Sequence, residues 1–307
     1  MTPGSAVRSG REGGHVGRPR VSASKVRMTR RRTARELEDA AARRAPPPRP
    51  LPAVTPLAEP LAMLIRRGLH PRPIAPDLPF LPNLDESRAE AIAGRLSHYA
   101  FRLFLRGAIL AGGPFRPADA TRYVAGAVAA RMATELVRLG MAQPAGRGRF
   151  RLIHPPANFG GTLEWWVGRE LCRRLSAPVA TGIRSGAQGT GGDLDVVLAL
   201  EGKLVYVELK SSPPKHVSTA ELASFLARVR GLRPHLSVLA VDTALRLRDK
   251  TLPGLVRLLP GANPVRLLRE NYRVVPSLYA VNARQDLIEN LCRVVADGLR
   301  ELAPSFG

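Results

Sequence analysis

The chain has 307 residues, an apolar fraction of 45% and a formal net charge of +22, from 47 Lys and Arg against 25 Asp and Glu. Such a length and apolar content allow one or two domains with real cores and exclude a chain that is disordered throughout. The charge favours a polyanionic partner, nucleic acid first. The alternative is that arginine is simply abundant, since 42 of the basic residues are Arg and 5 are Lys.

The two cysteines, Cys172 and Cys292, are far apart in the sequence, which excludes a disulfide framework and a CxxC zinc site. No uninterrupted apolar run approaches the roughly 18 residues of a membrane span, and the N-terminus lacks the apolar core of a signal peptide. We therefore expect a cytoplasmic protein with no membrane partner.

Residues 1–60 contain thirteen Lys or Arg, five Asp or Glu and a proline-rich stretch, with almost no aromatic or β-branched side chains. This composition predicts a disordered basic tail. The tail is either an arm that touches nucleic acid or an inert solvated segment, with an organellar transit peptide as a third alternative. Met28 is an alternative translation start. Residues 61–86 are punctuated by prolines and are expected to form an extended connector.

Residues 87–153 carry a helical pattern followed by a hairpin pattern. Apolar side chains recur at helical spacing over 87–111, and Pro117 and Thr121 then mark the starts of a short and a longer helix that ends near Gly140. A Pro- and Gly-containing turn at 144–148 predicts a β-hairpin. The pattern resembles a winged helix, and a plain helical packing domain is the alternative. In a winged helix the candidates for phosphate contacts are Arg122, Arg131, Arg138, Arg147 and Arg149.

Residues 154–307 are expected to form an α/β domain. A helix over 162–175 precedes a Gly-rich loop over 182–192, two apolar strands that end at Lys210, and a helix that Ser218 and Glu221 open in the S-x-x-E pattern of a capping box. Strand-like segments at 235–241 and 277–281 follow, separated by a loop, and a helix over 286–302 has one apolar face. This order predicts a mixed sheet flanked by helices.

The two apolar strands flank Glu201 and Gly202, which predicts a hairpin with a two-residue turn. In that register Leu200 faces Lys203, and the numbers of paired residues sum to 403. Directly opposed side chains project from the same face with Cβ atoms about 5 Å apart. The charged residues that this register opposes are Asp195 with Glu208 and Asp193 with Lys210.

Two carboxylates at such a distance repel each other unless a cation lies between them, and carboxylate oxygens suit Mg²⁺ or Mn²⁺. Lys210, two residues beyond Glu208, has a compact ammonium group that can orient an attacking water and offset charge on a scissile phosphate. Asp193 is either an alternate metal ligand or a partner for Lys210. The pattern therefore favours metal-dependent phosphodiester hydrolysis.

Asp195, followed after twelve residues by Glu208-Leu209-Lys210, resembles the D…(D/E)XK motif of the restriction-endonuclease-like PD-(D/E)XK nuclease superfamily. The resemblance covers residues 155–302, and Leu194 replaces the proline of the literal motif. It implies a restriction-endonuclease-like fold with Mg²⁺ or Mn²⁺ held by Asp195, Glu208 and the backbone carbonyl of Leu209. Many members of the superfamily act as dimers, so the resemblance also allows a homodimer.

Glu164 matches a glutamate that the superfamily often carries on the helix before the first core strand. The segment around it is similar to the nuclease half of CRISPR-associated ancillary nucleases activated by cyclic oligonucleotides. The N-terminal half shows no matching nucleotide-sensing domain, so we do not expect that activation. The alternative for Glu164 is a first-turn carboxylate that only favours the helix dipole.

The leading functional hypothesis is a Mg²⁺-dependent DNA endonuclease with an N-terminal nucleic-acid-binding module. One alternative is a protein that keeps the nuclease fold and binds nucleic acid without cleaving it. Another is a metal-dependent hydrolase of RNA. Lys215 and His216 follow the motif and are candidates for phosphate contact, with an ordinary loop as the alternative.

Overall fold

A large mixed β-sheet flanked by helices forms the centre of the computed structural model, which describes residues 58–185, 192–211 and 213–303. The predicted α/β class with a mixed sheet is confirmed. The basic tail predicted over 1–60 lies outside the described residues up to position 57, and so do positions 186–191 of the predicted Gly-rich loop. No helix in the described ranges is long and apolar enough to cross a bilayer.

The large sheet has eight strands in the order β1-β4-β5-β6-β7-β10-β9-β8, and β2 and β3 form a separate hairpin. Strand β7 runs parallel to β6 and to β10, while the remaining neighbours are antiparallel. The strands are β1 Arg72–Pro73, β2 Ala142–Pro144, β3 Phe150–Leu152, β4 Val179–Arg184, β5 Asp193–Leu200, β6 Lys203–Lys210, β7 Leu236–Val241, β8 Val265–Leu268, β9 Asn271–Val275 and β10 Leu278–Asn282.

Helices precede the sheet and then cover both of its faces. Two short 3-10 turns, at Pro214–His216 and Leu247–Asp249, follow β6 and β7. The α-helices are α1 Glu59–Arg66, α2 Glu86–Leu96, α3 Tyr99–Leu110, α4 Pro117–Ala120, α5 Gly126–Arg138, α6 Gly160–Leu175, α7 Thr219–Leu232, α8 Thr251–Leu258 and α9 Leu287–Glu301.

The β5–β6 hairpin has the predicted turn and register. Glu201 and Gly202 both have positive φ angles, of 51° and 71°, which is the geometry of a type I′ turn. The Cα pairs run from Leu200 with Lys203 to Val196 with Val207, and their numbers sum to 403 as predicted. The side-chain faces along this hairpin therefore follow from its turn.

Alternate residues of β5 and β6 pack into two different hydrophobic cores. The first core contains Val205 and Val207 with side chains of α6 and α9. It continues through Phe104 of α3 into residues 87–153, which we call the helical region. The second core contains Leu204 and Tyr206 with side chains of α7, α8 and α1. Because strand side chains alternate, positions 208 and 210 lie on the face of the second core, toward α7.

The helical region has the predicted short helix, longer helix and hairpin as α4, α5 and β2–β3. The longer helix begins at Gly126 and not at the predicted Thr121, because the backbone at Thr121 is extended. Phe115 adds an isolated bridge to Phe150 of β3. The helical pattern over 87–111 forms two helices rather than one, because the chain turns at Ser97 and His98 between α2 and α3. Whether this region is a winged helix remains a prediction.

A buried ion pair joins the helical region to the sheet. The Arg102 guanidinium on α3 donates to the Asp242 carboxylate at 2.8–3.1 Å, and Arg106 adds a second contact at 2.9 Å. Both the Arg102 and Asp242 side chains are buried, and Asp242 directly follows β7. All described residues belong to one compact unit, so the region packs against the end of the sheet that carries Lys210.

Three predicted loops or connectors contain regular structure. The predicted extended connector over 61–86 begins inside α1, because Pro60 can occupy the first turn and the apolar side of this helix buries Met63 and Leu64. The Gly-rich loop starts later than predicted, since Gly182 lies within β4. The loop predicted between 241 and 277 contains α8, β8 and β9.

Candidate metal and phosphodiester site

Asp195 lies where the β5–β6 ladder opens. Regular pairing reaches Val196 and Val207, and beyond it the Asp195 carboxylate accepts a hydrogen bond from the Leu209 N–H at 2.6 Å. The N–H and C=O of one strand residue project toward the same neighbouring strand. The Leu209 carbonyl, the predicted backbone ligand, therefore faces the side on which Asp195 lies.

Glu208 is held in a buried network on the α7 side of β6. Its carboxylate accepts hydrogen bonds from Arg228 of α7, through Nη2 at 2.6 Å and Nε at 3.2 Å, and from the Tyr206 hydroxyl. Lys210 Nζ lies 2.9 Å from Oε1. Burial raises the pKa of Tyr206, and the Glu208 and Asp195 charges add to this, so the phenol stays protonated as a donor. Both oxygens of Glu208 are thus engaged by the protein.

Lys210 is positioned by two carboxylates. Besides Glu208, it contacts Glu221 Oε1 at 3.7 Å, and 19% of its side chain is exposed. Glu221 belongs to the predicted capping box, in which Ser218 Oγ accepts from the Glu221 N–H and the Glu221 carboxylate accepts from the Ser218 N–H. The cap of α7 therefore also fixes one neighbour of the lysine.

Glu164 and Asp195 are the other two acidic residues of the site, and together with Glu208 and Lys210 they form what we call the corner. Burial raises the pKa of Glu164 to about 7, and the negative charges of Asp193 and Glu208 add to the effect. Burial also raises the pKa of Asp195, with further contributions from Glu208 and Glu164, against the opposing Leu209 N–H and Lys210. Within the described residues, no cationic side chain makes a hydrogen bond or ion pair with either carboxylate.

Asp193 does not pair with Lys210. The β4–β5 ladder continues to Arg184 and Asp193, after the β5–β6 ladder has ended at Val196. Arg184 Nε accordingly lies 3.3 Å from Asp193 Oδ1, and both side chains are exposed. Asp193 contributes charge near Glu164 but faces Arg184 at the outer edge of the site.

Two glycines allow the backbone to approach this corner closely. Gly182 has a φ angle of +57° and lies opposite Asp195 in the continuous β4–β5 register. A Cβ atom at Gly182 would lie 3.6 Å from a Glu164 carboxylate oxygen. Gly192 has a φ angle of +102°, and a Cβ atom there would lie 2.9 Å from Arg228 Nη1. Both positions favour glycine because L-residues rarely adopt such angles.

The donors present fit a hard divalent cation in part. Across the described ranges, no three His, Cys, Asp or Glu side chains converge on a common metal position in these conformations. Asp195 and Glu164 nevertheless offer uncompensated carboxylate oxygens, the donors that Mg²⁺ and Mn²⁺ prefer. Glu208 fits only if Arg228 or Lys210 releases one of its oxygens.

Sequence reasoning missed Tyr206 and Arg228, which complete the Glu208 network. Tyr206 was detectable as the residue two positions before Glu208 on the same strand face. Arg228 follows Phe225 by three positions and therefore lies on the buried side of α7, where a lone arginine requires a carboxylate partner. That partner, twenty residues away, depends on how α7 packs on the sheet.

The other predicted contacts for nucleic acid are surface residues. Arg138 pairs with Glu135 at 3.0 Å, and the Arg122 guanidinium lies over the Tyr123 ring. Lys215 and His216 are exposed on the 3-10 turn after β6, at the end of that strand that carries Lys210. All five arginines predicted to contact phosphates are exposed, namely Arg122, Arg131, Arg138, Arg147 and Arg149.

Of the comparisons with known proteins, the one with solved structures found similar chains. No protein-family model matches the sequence, and no curated protein matches it. One similar structure is protein VC1899 from Vibrio cholerae, with a TM-score of 0.49, 13% identity and 77% of this chain covered. Another is Can2 from Sulfobacillus thermosulfidooxidans in complex with cyclic tetra-adenylate, with a TM-score of 0.47, 14% identity and 76% covered. This chain spans 60% and 59% of those two chains.

Proposed function

We propose that the protein hydrolyses phosphodiester bonds of nucleic acid in a metal-dependent reaction, as a DNA endonuclease of the PD-(D/E)XK type. The observation that carries the proposal is the pair formed by Asp195 and Glu164, two partly buried carboxylates with which no described cationic side chain makes a hydrogen bond or ion pair. Holding such charges away from water costs free energy unless a cation or proton neutralises them. A divalent cation supplies that neutralisation and, when bound, polarises a phosphate and the attacking water.

The residues of the chain have separate roles in this proposal. Asp195, Glu164 and the Leu209 carbonyl provide oxygen ligands. Lys210 holds its ammonium group at the mouth of the corner, where it can orient the water and offset charge on the phosphate. Glu208 fixes Lys210 at 2.9 Å, and it becomes a ligand only if Arg228 or Lys210 releases one of its oxygens.

The exposed arginines of α5 and of the β2–β3 hairpin support a nucleic-acid surface. Arg147 and Arg149 lie on the hairpin turn, and Arg131 and Arg138 on the solvent side of α5. In a winged helix these two elements face the nucleic acid, where arginines contact phosphates and set the position of the protein. We propose this role for the helical region.

A second candidate function is nucleic-acid binding without cleavage. It is favoured by the Glu208 network, because the contacts of Arg228, Tyr206 and Lys210 leave this carboxylate satisfied without a metal. In that case Lys210 is a structural cation, and the corner formed by Asp195 and Glu164 has lost its third ligand.

The test is cleavage of supercoiled plasmid, single-stranded DNA and RNA by purified protein in Mg²⁺, Mn²⁺ or EDTA. We expect cleavage with either metal, none in EDTA, and losses of at least about 100-fold for Asp195→Asn and Lys210→Ala. The matched controls are Asp297→Asn on α9 and Lys203→Ala at the turn end of β6, which should keep activity.

The outcomes separate the two candidate functions. Cleavage in EDTA, or full activity in both site variants, would refute the proposed reaction. Absence of cleavage with every metal and substrate, together with retained binding of nucleic acid, would establish the binding function instead.

A further inference from the structure

A basic cavity of about 620 Å³ opens among the loops that follow β6, β7 and β10. Its volume is within the range of ligand pockets that take one small molecule or one nucleotide. Residues from three separate loops line it. Those that the argument uses are Lys215, Leu245, Arg246, Asp249, Lys250 and Arg284.

The position of the cavity follows from the sheet topology. Strands β6, β7 and β10 are parallel, so their carboxyl ends lie along one edge of the sheet. Lys215 follows β6, Arg246 and Lys250 follow β7, and Arg284 follows β10. Lys210 ends β6 at the same edge, and its carbonyl accepts the Asp242 N–H at 2.7 Å. Ligands of parallel sheets bind at this kind of edge.

The charge of the cavity suits a phosphate. Four cations line it against one carboxylate, Asp249, which lies 3.7 Å from the neighbouring Arg248. Lys250 Nζ donates to the neutral Lys215 carbonyl at 2.6 Å, and among the described residues it makes no ion pair with a carboxylate. In the described part of the chain, neither Arg246 nor Arg284 pairs its guanidinium with a carboxylate.

The cavity also has an apolar wall that is fixed in place. Leu245 is 57% exposed, although it lies in a loop of a chain whose other leucines are mostly buried. Its N–H donates to Thr243 Oγ1 at 3.1 Å, and its carbonyl accepts from the buried Asn282 side chain at 2.7 Å. The hydrogen bonds of the Leu245 backbone thus hold its side chain in solvent. Covering this side chain with an apolar surface would be favourable.

We propose that this cavity binds one unpaired nucleotide of a nucleic-acid strand, with its phosphate on Arg246 and Arg284 and its base against Leu245. Duplex DNA stacks its base faces inside and exposes only base edges, in its grooves, so a duplex can offer phosphates but no base face here. An unpaired nucleotide can offer both groups. The assignment of that strand as the substrate rests on the proposed function, whereas the binding itself needs neither metal nor cleavage.

The experiment measures binding of fluorescent 20-nucleotide oligothymidine, oligouridine and a 20-base-pair DNA duplex in EDTA over a range of salt concentrations. The double variant Arg246→Ala/Arg284→Ala should weaken single-strand binding and lower the slope of log K against log salt by about 0.7, the value for one lost phosphate contact. The control Arg257→Ala/Arg300→Ala removes the same charge from exposed positions outside the cavity.

Leu245→Ser tests the base contact separately. It should weaken single-strand binding by roughly threefold to tenfold and leave duplex binding unchanged. Thermal unfolding of each variant confirms that the fold is kept. A cavity variant that matches the control pair, an equal loss for duplex and single strand in Leu245→Ser, or no single-strand binding by the wild type would each overturn the proposal.

The binding measurements test the cavity independently of the proposed hydrolysis. If the wild type cleaves nothing but the cavity variants lose single-strand binding, the proposed function fails and the binding site remains. If the wild type cleaves with metal while the cavity variants bind like the control pair, the cavity proposal fails and the hydrolysis remains. Equal weakening of thymidine and uridine strands places recognition on the phosphate and base, without a contribution from the 2′-hydroxyl.

Discussion

Replacing Glu164 by glutamine should stabilise the protein at neutral pH in the absence of metal. The Glu164 carboxyl lies beside Asp195, and burial raises its pKa from 4.5 to about 7. The folded state therefore keeps this proton to a higher pH than the unfolded chain does. The stability associated with the protonated form is fully present below about pH 4.5 and is lost as the pH rises through about 7. Glutamine is neutral at every pH and avoids this loss.

The magnitude follows from the difference between the two pKa values. At 1.36 kcal/mol per pH unit, a change from 4.5 to about 7 corresponds to about 3 kcal/mol. The carboxyl of Glu164 keeps some contact with water, which reduces this value, so we expect a gain of about 1 to 3 kcal/mol at pH 8. At pH 4.5 the wild type and the variant should be equally stable.

Urea unfolding in EDTA at pH 4.5, 6 and 8 measures the effect. Glu170→Gln is the matched control, because this residue lies on the same helix but pairs with Arg173 at 3.1 Å. The control should lose stability or stay neutral at pH 8, since it removes an ion pair rather than an unbalanced charge. A Glu164→Gln variant that is no more stable than the wild type at pH 8, or that shows the same difference at all three pH values, would refute the reasoning.

Three further substitutions test the contacts that hold the site. Arg102→Met breaks the main partner of the buried Asp242 carboxylate and should cost about 3 kcal/mol in urea unfolding, and an unchanged midpoint would contradict a structural ion pair. Arg228→Met should cost a similar amount because it leaves the buried Glu208 carboxylate without its guanidinium partner, and calorimetry should show a lower Tm. A higher Tm would show that the attraction between Arg228 and Glu208 does no more than offset the cost of burying their charges. Gly182→Ala should cost about 1 kcal/mol because of its positive φ angle, and a neutral result would rule out strain there.

The β5–β6 hairpin could be predicted in detail from the sequence because its determinants are local. Glu201 and Gly202 specify a two-residue turn, the turn fixes the register, and the register fixes which side chains share a face. The capping box at Ser218 and Glu221 is equally local, and it is present as predicted. In both cases the interacting residues lie within about fifteen positions of each other.

What the sequence did not show depends on contacts between distant segments. Strand β4 contains Gly182 and has no clear alternation, and it becomes a strand because β5 and β1 pair with its two edges. The Glu208 network likewise requires α7 to lay Arg228 against β6. The register gave Asp195 and Glu208 as neighbours on one face, but it could not show that Glu208 is already bound by a guanidinium.

The balance of charge around Asp195 and Glu208 predicts how the corner responds to Mg²⁺. At about ten times its Kd the cation should stabilise the wild type by about 1.4 kcal/mol, or roughly 3–6 °C in Tm at pH 8. Asp195→Asn and Glu164→Gln should abolish this increase, because each removes an unbalanced ligand. If Glu208→Gln keeps it, Glu208 serves to position Lys210; if Glu208→Gln loses it, Arg228 must yield an oxygen to the metal. An increase that survives in both Asp195→Asn and Glu164→Gln would show that the cation binds elsewhere.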